Sequence, residues 1–145
     1  MRESDISRMR GEFTLRIWRA GELLEEYRDE NMIMSVAKDA MAKLIGGSGG
    51  GKVITTIGFG INGAGPTPSD TALTASFAKA ITSVSYPASG QVAFNWTLGT
   101  SDANGMAITE VGLICSDTTL FARKTRGAIN KSADISLDGT WTIIF

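Results

Sequence analysis

The stretch Ile135-Ser136-Leu137-Asp138-Gly139-Thr140-Trp141-Thr142-Ile143-Ile144-Phe145 decides the fold. Ile135 to Leu137 and Trp141 to Phe145 read as strands, because β-branched and aromatic side chains suit a pleated, half-buried surface. Asp138-Gly139 between them is the strongest hairpin signal in the sequence, since a two-residue turn of this kind needs positive φ at its centre. The apolar last strand carries no polar tail, so it is expected to be buried, in its own sheet or across an interface.

The same pattern recurs upstream. Val84 to Tyr86, Val92 to Leu98, Ile108 to Cys115 and Leu120 to Lys124 read as strands. Ser89-Gly90, the segment Ser101 to Gly105, and Ser116-Asp117 connect them. Lys52 to Phe59 is β-branched, and Ile61 to Asp70 is a loop broken by Gly63, Gly65, Pro66 and Pro68. Thr71 to Ile81 fits a short helix or an irregular lead into a strand. Near the N-terminus, Phe13, Leu15 and Ile17 alternate with Thr14, Arg16 and Trp18, Arg19-Ala20-Gly21-Glu22 offers a turn, and Leu23 to Tyr27 can return as the partner strand, although Leu24-Glu25-Glu26 can also be read as helix. Met34 to Ile45 has helical spacing at Val36 or Ala37, Ala40, Met41, Leu44 and Ile45, with Ser35 as N-cap and Gly46 as stop. The predicted class is mainly β: an antiparallel β-sandwich or partly open barrel with an N-terminal hairpin and one α-helix.

Charge divides the chain. Residues 1–45 carry 8 basic and 9 acidic side chains, and residues 46–145 carry 6 of each. The break falls at Gly46-Gly47-Ser48-Gly49-Gly50-Gly51, flexible by composition. This predicts a docking element of hairpin plus helix at 1–45, a Gly-rich joint at 46–52, and a β-sandwich-like domain at 53–145.

The 145 residues suffice for one domain with its own core. A net charge of −1 removes the general attraction to phosphate on which nucleic-acid binding rests. The sequence contains no histidine, which excludes a Ser-His-Asp triad, a Cys-His pair and a His-bound metal. The single cysteine, Cys115, lies in an apolar run and reads as a small buried hydrophobe. The charged start, Met1-Arg2-Glu3-Ser4-Asp5, argues against a signal peptide, and the apolar runs are too short for a membrane helix. The expectation is a soluble protein made in a reducing cytoplasm, with no catalytic, cofactor or metal site.

Two glycine motifs invite a nucleotide reading. Gly58-Phe59-Gly60-Ile61-Asn62-Gly63 matches G-x-G-x-x-G, but Pro66 and Pro68 follow where the mechanism needs a helix. Gly46 to Lys52 has P-loop spacing, but Val53 replaces the Mg²⁺-binding hydroxyl, and the segment runs from helix into strand. Glu25-Glu26 and Asp29-Glu30 read as a solvated charged edge. Asp102 to Gly105 lacks the spacing of a Ca²⁺ loop. Arg123, Lys124 and Arg126, with Lys131 nearby, form the one basic cluster, which suits a salt-bridged interface or solvated loop better than an anion grip. Trp96 and Trp141 are expected in the core; Trp18 and Phe145 are further candidate interface anchors.

A succession of short motifs carries a resemblance. Ile57-Gly58-Phe59-Gly60 is followed by Ala64-Gly65-Pro66-Thr67-Pro68-Ser69-Asp70-Thr71-Ala72-Leu73, then by Ala107-Ile108-Thr109-Glu110-Val111-Gly112-Leu113, Leu120-Phe121-Ala122-Arg123 and Ile129-Asn130-Lys131, with Trp141 near the end. This resembles small virion structural proteins of tailed bacteriophages, from the tail, baseplate or tail-fibre region. The resemblance implies a mostly β, non-catalytic subunit present in many copies in a virion assembled in the bacterial cytoplasm. Its partners would be copies of itself and other virion proteins, with no nucleic acid and no membrane. Alternatives are a receptor- or glycan-binding module at a fibre tip, suggested by three Trp on strands, and a capsid decoration or neck protein.

Overall fold

The computed structural model describes residues 9–145; the expectation for Met1 to Asp5 falls outside them. The described residues form nine strands and one helix: β1 (Arg10–Arg19), β2 (Glu22–Ile33), α1 (Ser35–Gly46), β3 (Ile54–Gly60), β4 (Phe77–Ala80), β5 (Ser83–Ser85), β6 (Gln91–Leu98), β7 (Ala107–Cys115), β8 (Leu120–Asn130) and β9 (Ile135–Ile144). The protein is mainly β, with two antiparallel sheets packed as a sandwich. One sheet has the order β5-β6-β9-β1-β2, the other β4-β3-β7-β8.

The sheets are joined at two corners. Met32 and Ile33 at the end of β2 leave β1 and pair with Arg123 and Ala122 of β8. At the other corner β4 runs almost directly into β5: Ile81 N–H donates to Thr55 O, and the next amide, Thr82, donates to Asn95 O on β6. Beyond that switch β3 and β5 diverge, and the sandwich opens.

The β1–β2 hairpin forms as its alternation predicts, with Ala20 and Gly21 both at positive φ. β1 lies inside its sheet and pairs with β9 from Arg10↔Ile144 to Arg19↔Ile135, so the hairpin of the 1–45 segment shares a sheet with the 53–145 segment. The glycine run is also tied down. Ser48 N–H reaches Lys43 O, Lys52 N–H reaches Gly49 O, and Asp117 N–H reaches Gly51 O.

The helix starts one residue earlier than expected, with Met34 rather than Ser35 as N-cap and no side-chain cap bond. Pro68 O takes the Ser35 amide instead. Gly47, in the left-handed region at φ 83°, ends it. Ala37 and Ala40 face the core, whereas Leu44 and Ile45 are exposed, which corrects the expected apolar face.

β9 corrects the main turn expectation. Asp138-Gly139 lies inside one continuous strand, with no hairpin. Gly139 stands between Leu15 on β1 and Trp96 on β6. A Cβ there would meet Thr14 O and would lie 2.8 Å from Trp96 Cε2, so this glycine makes room for an indole. Asp138 accepts from Trp18 Nε1 at 2.7 Å and from Arg16 at 2.8 Å, which pins it in the sheet. β8 is also longer than expected, running to Asn130, so Arg126 lies on the same strand as Arg123 and Lys124.

An aromatic chain crosses the core. Phe59 meets Trp96 edge to face at 5.4 Å, Trp96 stacks with Phe13 at 6.0 Å, and Phe13 packs on Trp141 at 4.8 Å. Trp96 and Trp141 are buried, as expected from their strands.

Candidate functional site

Four of the stretches that carry the sequence resemblance, those holding Gly58 to Gly60, Asp70 to Leu73, Glu110 and Arg123, meet in one place, on the outer face of β3, β7 and β8, whereas Lys131 and Trp141 lie elsewhere. Glu110 and Arg123 are buried there. Arg123 Nε donates to Glu110 Oε1 at 2.8 Å, and its Nη1 donates to Asp70 Oδ2 at 2.9 Å. Its Nη2 donates to Asn62 O and Ala64 O at 2.9 and 3.0 Å. Glu110 Oε2 accepts from Asn62 N–H and Thr74 N–H. The interior charges are thus paired and hydrogen-bonded, the condition under which such burial is tolerated. Together they strap the 61–76 segment across the sheet. The amide and then the hydroxyl of Thr67, with Arg123 beside them, hold the Asp70 carboxyl below its ordinary range.

This explains the glycines. A Cβ on Gly60 would strike the Glu110 carboxylate; one on Gly58 would lie 2.8 Å from Leu73 Cδ1, and one on Gly112 would lie 2.7 Å from Leu120 Cδ1. The glycines flatten the strand surface so that Leu73 and the strap can sit on it. The G-x-G-x-x-G spacing is a packing requirement, and no helix follows it.

The basic residues named as interface candidates lie in three separate places. Arg123 and Lys131 are interior, 2 % exposed each. Lys131 Nζ donates to Asn104 Oδ1 at 2.8 Å and to Ser132 O at 3.0 Å, and burial pushes its ammonium below the ordinary lysine value. Lys124 and Arg126 close the seam where β2 and β8 part. Lys124 reaches Asp29 at 2.6 Å, and Arg126 reaches Glu25 at 2.8 Å while lying 4.8 Å over the Tyr27 ring. Those bonds from Arg126 and Lys124 lower the Glu25 and Asp29 carboxyls respectively. Trp18 is half-buried and tied to Asp138.

Phe145 lies elsewhere, in an apolar groove of about 560 Å³ where β3 and β5 diverge. Met41 and Leu44 of α1, Val53 and Ile54, and Val84, Tyr86 and Phe94 wall it, and Phe121 and Ile143 line it too. Lys52 lies at its edge but is held by Asp117 at 2.6 Å, which draws the Asp117 carboxyl down to about 2. A small-molecule site of this size needs a few polar groups that converge to orient the ligand. Here Gln91, the engaged Lys52 and the Tyr86 hydroxyl are the polar groups of a lining that is otherwise apolar, so the groove suits an apolar protein surface. Cys115 is buried, and burial pushes its thiol up to about 11. Among the described residues, no three metal-ligating side chains converge, and no helix is long and apolar enough to cross a membrane.

No protein-family model, curated protein or solved structure matches this chain. Sequence reasoning missed Glu110 as the centre of the strap and Val84 and Tyr86 as the wall of the groove. A carboxylate alternating into an apolar strand signalled the first; nothing short of the strand order could reveal the second.

Proposed function

We propose that this protein is a non-enzymatic structural subunit of a tailed phage virion, in the tail, baseplate or tail-fibre attachment region, acting through protein–protein contacts. One observation carries the reading: four of the stretches that resemble virion proteins, those holding Gly58 to Gly60, Asp70 to Leu73, Glu110 and Arg123, converge on a single buried strap. Residues spread across the chain thus serve one fold-defining arrangement. The apolar groove fits the same role, since exposed apolar surface bordered by polar residues suits a protein partner.

The tryptophans do not favour the glycan-binding alternative. Trp96 and Trp141 fill the core, and the Trp18 indole N–H is engaged by Asp138. Mass spectrometry of purified particles should detect this chain in multiple copies, and antibody labelling should locate it on the tail. Its absence from particles that contain the other structural proteins overturns the reading.

A further inference from the structure

We infer that β5 pairs antiparallel with β5 of a second copy about a two-fold axis at Val84, closing the apolar groove of each copy. This rests on the reading of the chain as a subunit that works through contacts with copies of itself.

β5 is the terminal strand of its sheet, paired with β6 on one side. An edge strand is a template for another strand, and proteins usually blunt it with charge or cover. Ser83-Val84-Ser85 carries no charge, and Val84 is 47 % exposed. The three residues read the same in both directions. Self-pairing therefore sets Val84 opposite Val84 and Ser83 opposite Ser85, the self-complementarity that a two-fold interface requires. Val84 lies across from Phe94 on the groove side, and Tyr86, two residues on and 77 % exposed, shares that face. In the pair, Tyr86 is diagonal to the partner's Val84, within reach for an aromatic side chain.

Area favours a second copy. Val53, Val84, Tyr86, Phe145 and Leu44 are 57, 47, 77, 48 and 37 % exposed. Together they present on the order of 500 Å² of mostly apolar side chain, near the top of the range for the largest patch on a monomer. That is a little over half of the ~800 Å² that one partner brings to a standard interface, and the β5 backbone and its serines add to it. Lys52 is already neutralised by Asp117, so the face offers no pull on a charged partner.

The test uses the full chain. Val84→Cys places two thiols across the axis, and mild oxidation should give a covalent dimer on a non-reducing gel; the wild type, whose Cys115 is buried, should give none. Val84→Lys sets like charges face to face and should raise the dimer dissociation constant in sedimentation velocity by about tenfold or more. Fluorescence of the buried tryptophans checks that the lysine variant folds, and the cross-link formed by Val84→Cys decides if it does not. Self-association that ignores Val84→Lys, with no cross-link, overturns this interface and leaves the subunit reading standing. A wild type that stays monomeric also overturns it, whereas failure of the subunit reading shows separately, as absence from particles.

Discussion

Arg123 Nε lies 2.8 Å from Glu110 Oε1, with both side chains closed off from solvent. The contact belongs to the strap: the same guanidinium holds Asp70 and two backbone carbonyls, and the same carboxylate holds two amides. Removing either partner leaves a buried charge and several orphaned backbone groups, whereas removing both leaves only the latter.

Arg123→Met should therefore lower stability by about 3–5 kcal/mol, the cost of breaking a buried pair from one side. Glu110→Gln should be costly too. The double variant should lose less than the sum of the two, because the groups are directly coupled. Urea unfolding of the four proteins checks this; strict additivity would mean that the two side chains do not act as a unit.

Gly60→Ala should destabilise by about 1–3 kcal/mol, since its methyl must displace a carboxylate held from three sides. Gly63→Ala should stay within about 0.5 kcal/mol, because its methyl would meet Thr109 at ordinary contact distance, 3.6 Å. Thermal melts separate the two. A nucleotide loop would not predict this contrast.

Gly139→Ala should cost about 3 kcal/mol, the upper end for overpacking, as its methyl would meet both a backbone carbonyl and the Trp96 ring. Denaturant unfolding gives the cost, and a changed near-ultraviolet signal from Trp96 should accompany it.

Asp117 carries a clear pH dependence. Its carboxyl titrates at about 2 in the folded chain, against an ordinary 3.8, because it is hydrogen-bonded to Lys52. As pH falls, the unfolded chain takes up the proton first, so the contribution is complete above about pH 4 and is lost between about 4 and 2. Asp70, Asp102 and Asp134 are also lowered, by Thr67, Lys79 and Ser132 first, and lose their contributions below about pH 4. The melting temperature should fall on acidification through this window, and Asp117→Asn should flatten the fall.

Local rules found most elements because most elements obey them. The alternation in Phe13 to Ile17, the turn at Ala20-Gly21 and the core positions of Trp96 and Trp141 follow from period and side-chain size. The errors lie where a distant residue decides. Asp138-Gly139 has turn chemistry, yet Trp96, Trp18 and Arg16 hold it extended. Arg123 reads as part of a basic surface cluster until Glu110 on the neighbouring strand and Asp70, 53 residues upstream, are brought against it. The groove arises from the divergence of β3 and β5, a property of strand order that no local pattern encodes.

The pairing of Arg10 with Ile144 and Arg19 with Ile135 also sets the timing of folding. The hairpin that leaves the ribosome early has an unpaired edge until β9 is synthesised, so the sheet cannot close before then. Such long-range closure is slow and leaves an exposed strand edge in the meantime. Losing β9 would uncover both β1 and β6, and aggregation of the truncated chain is the expected consequence.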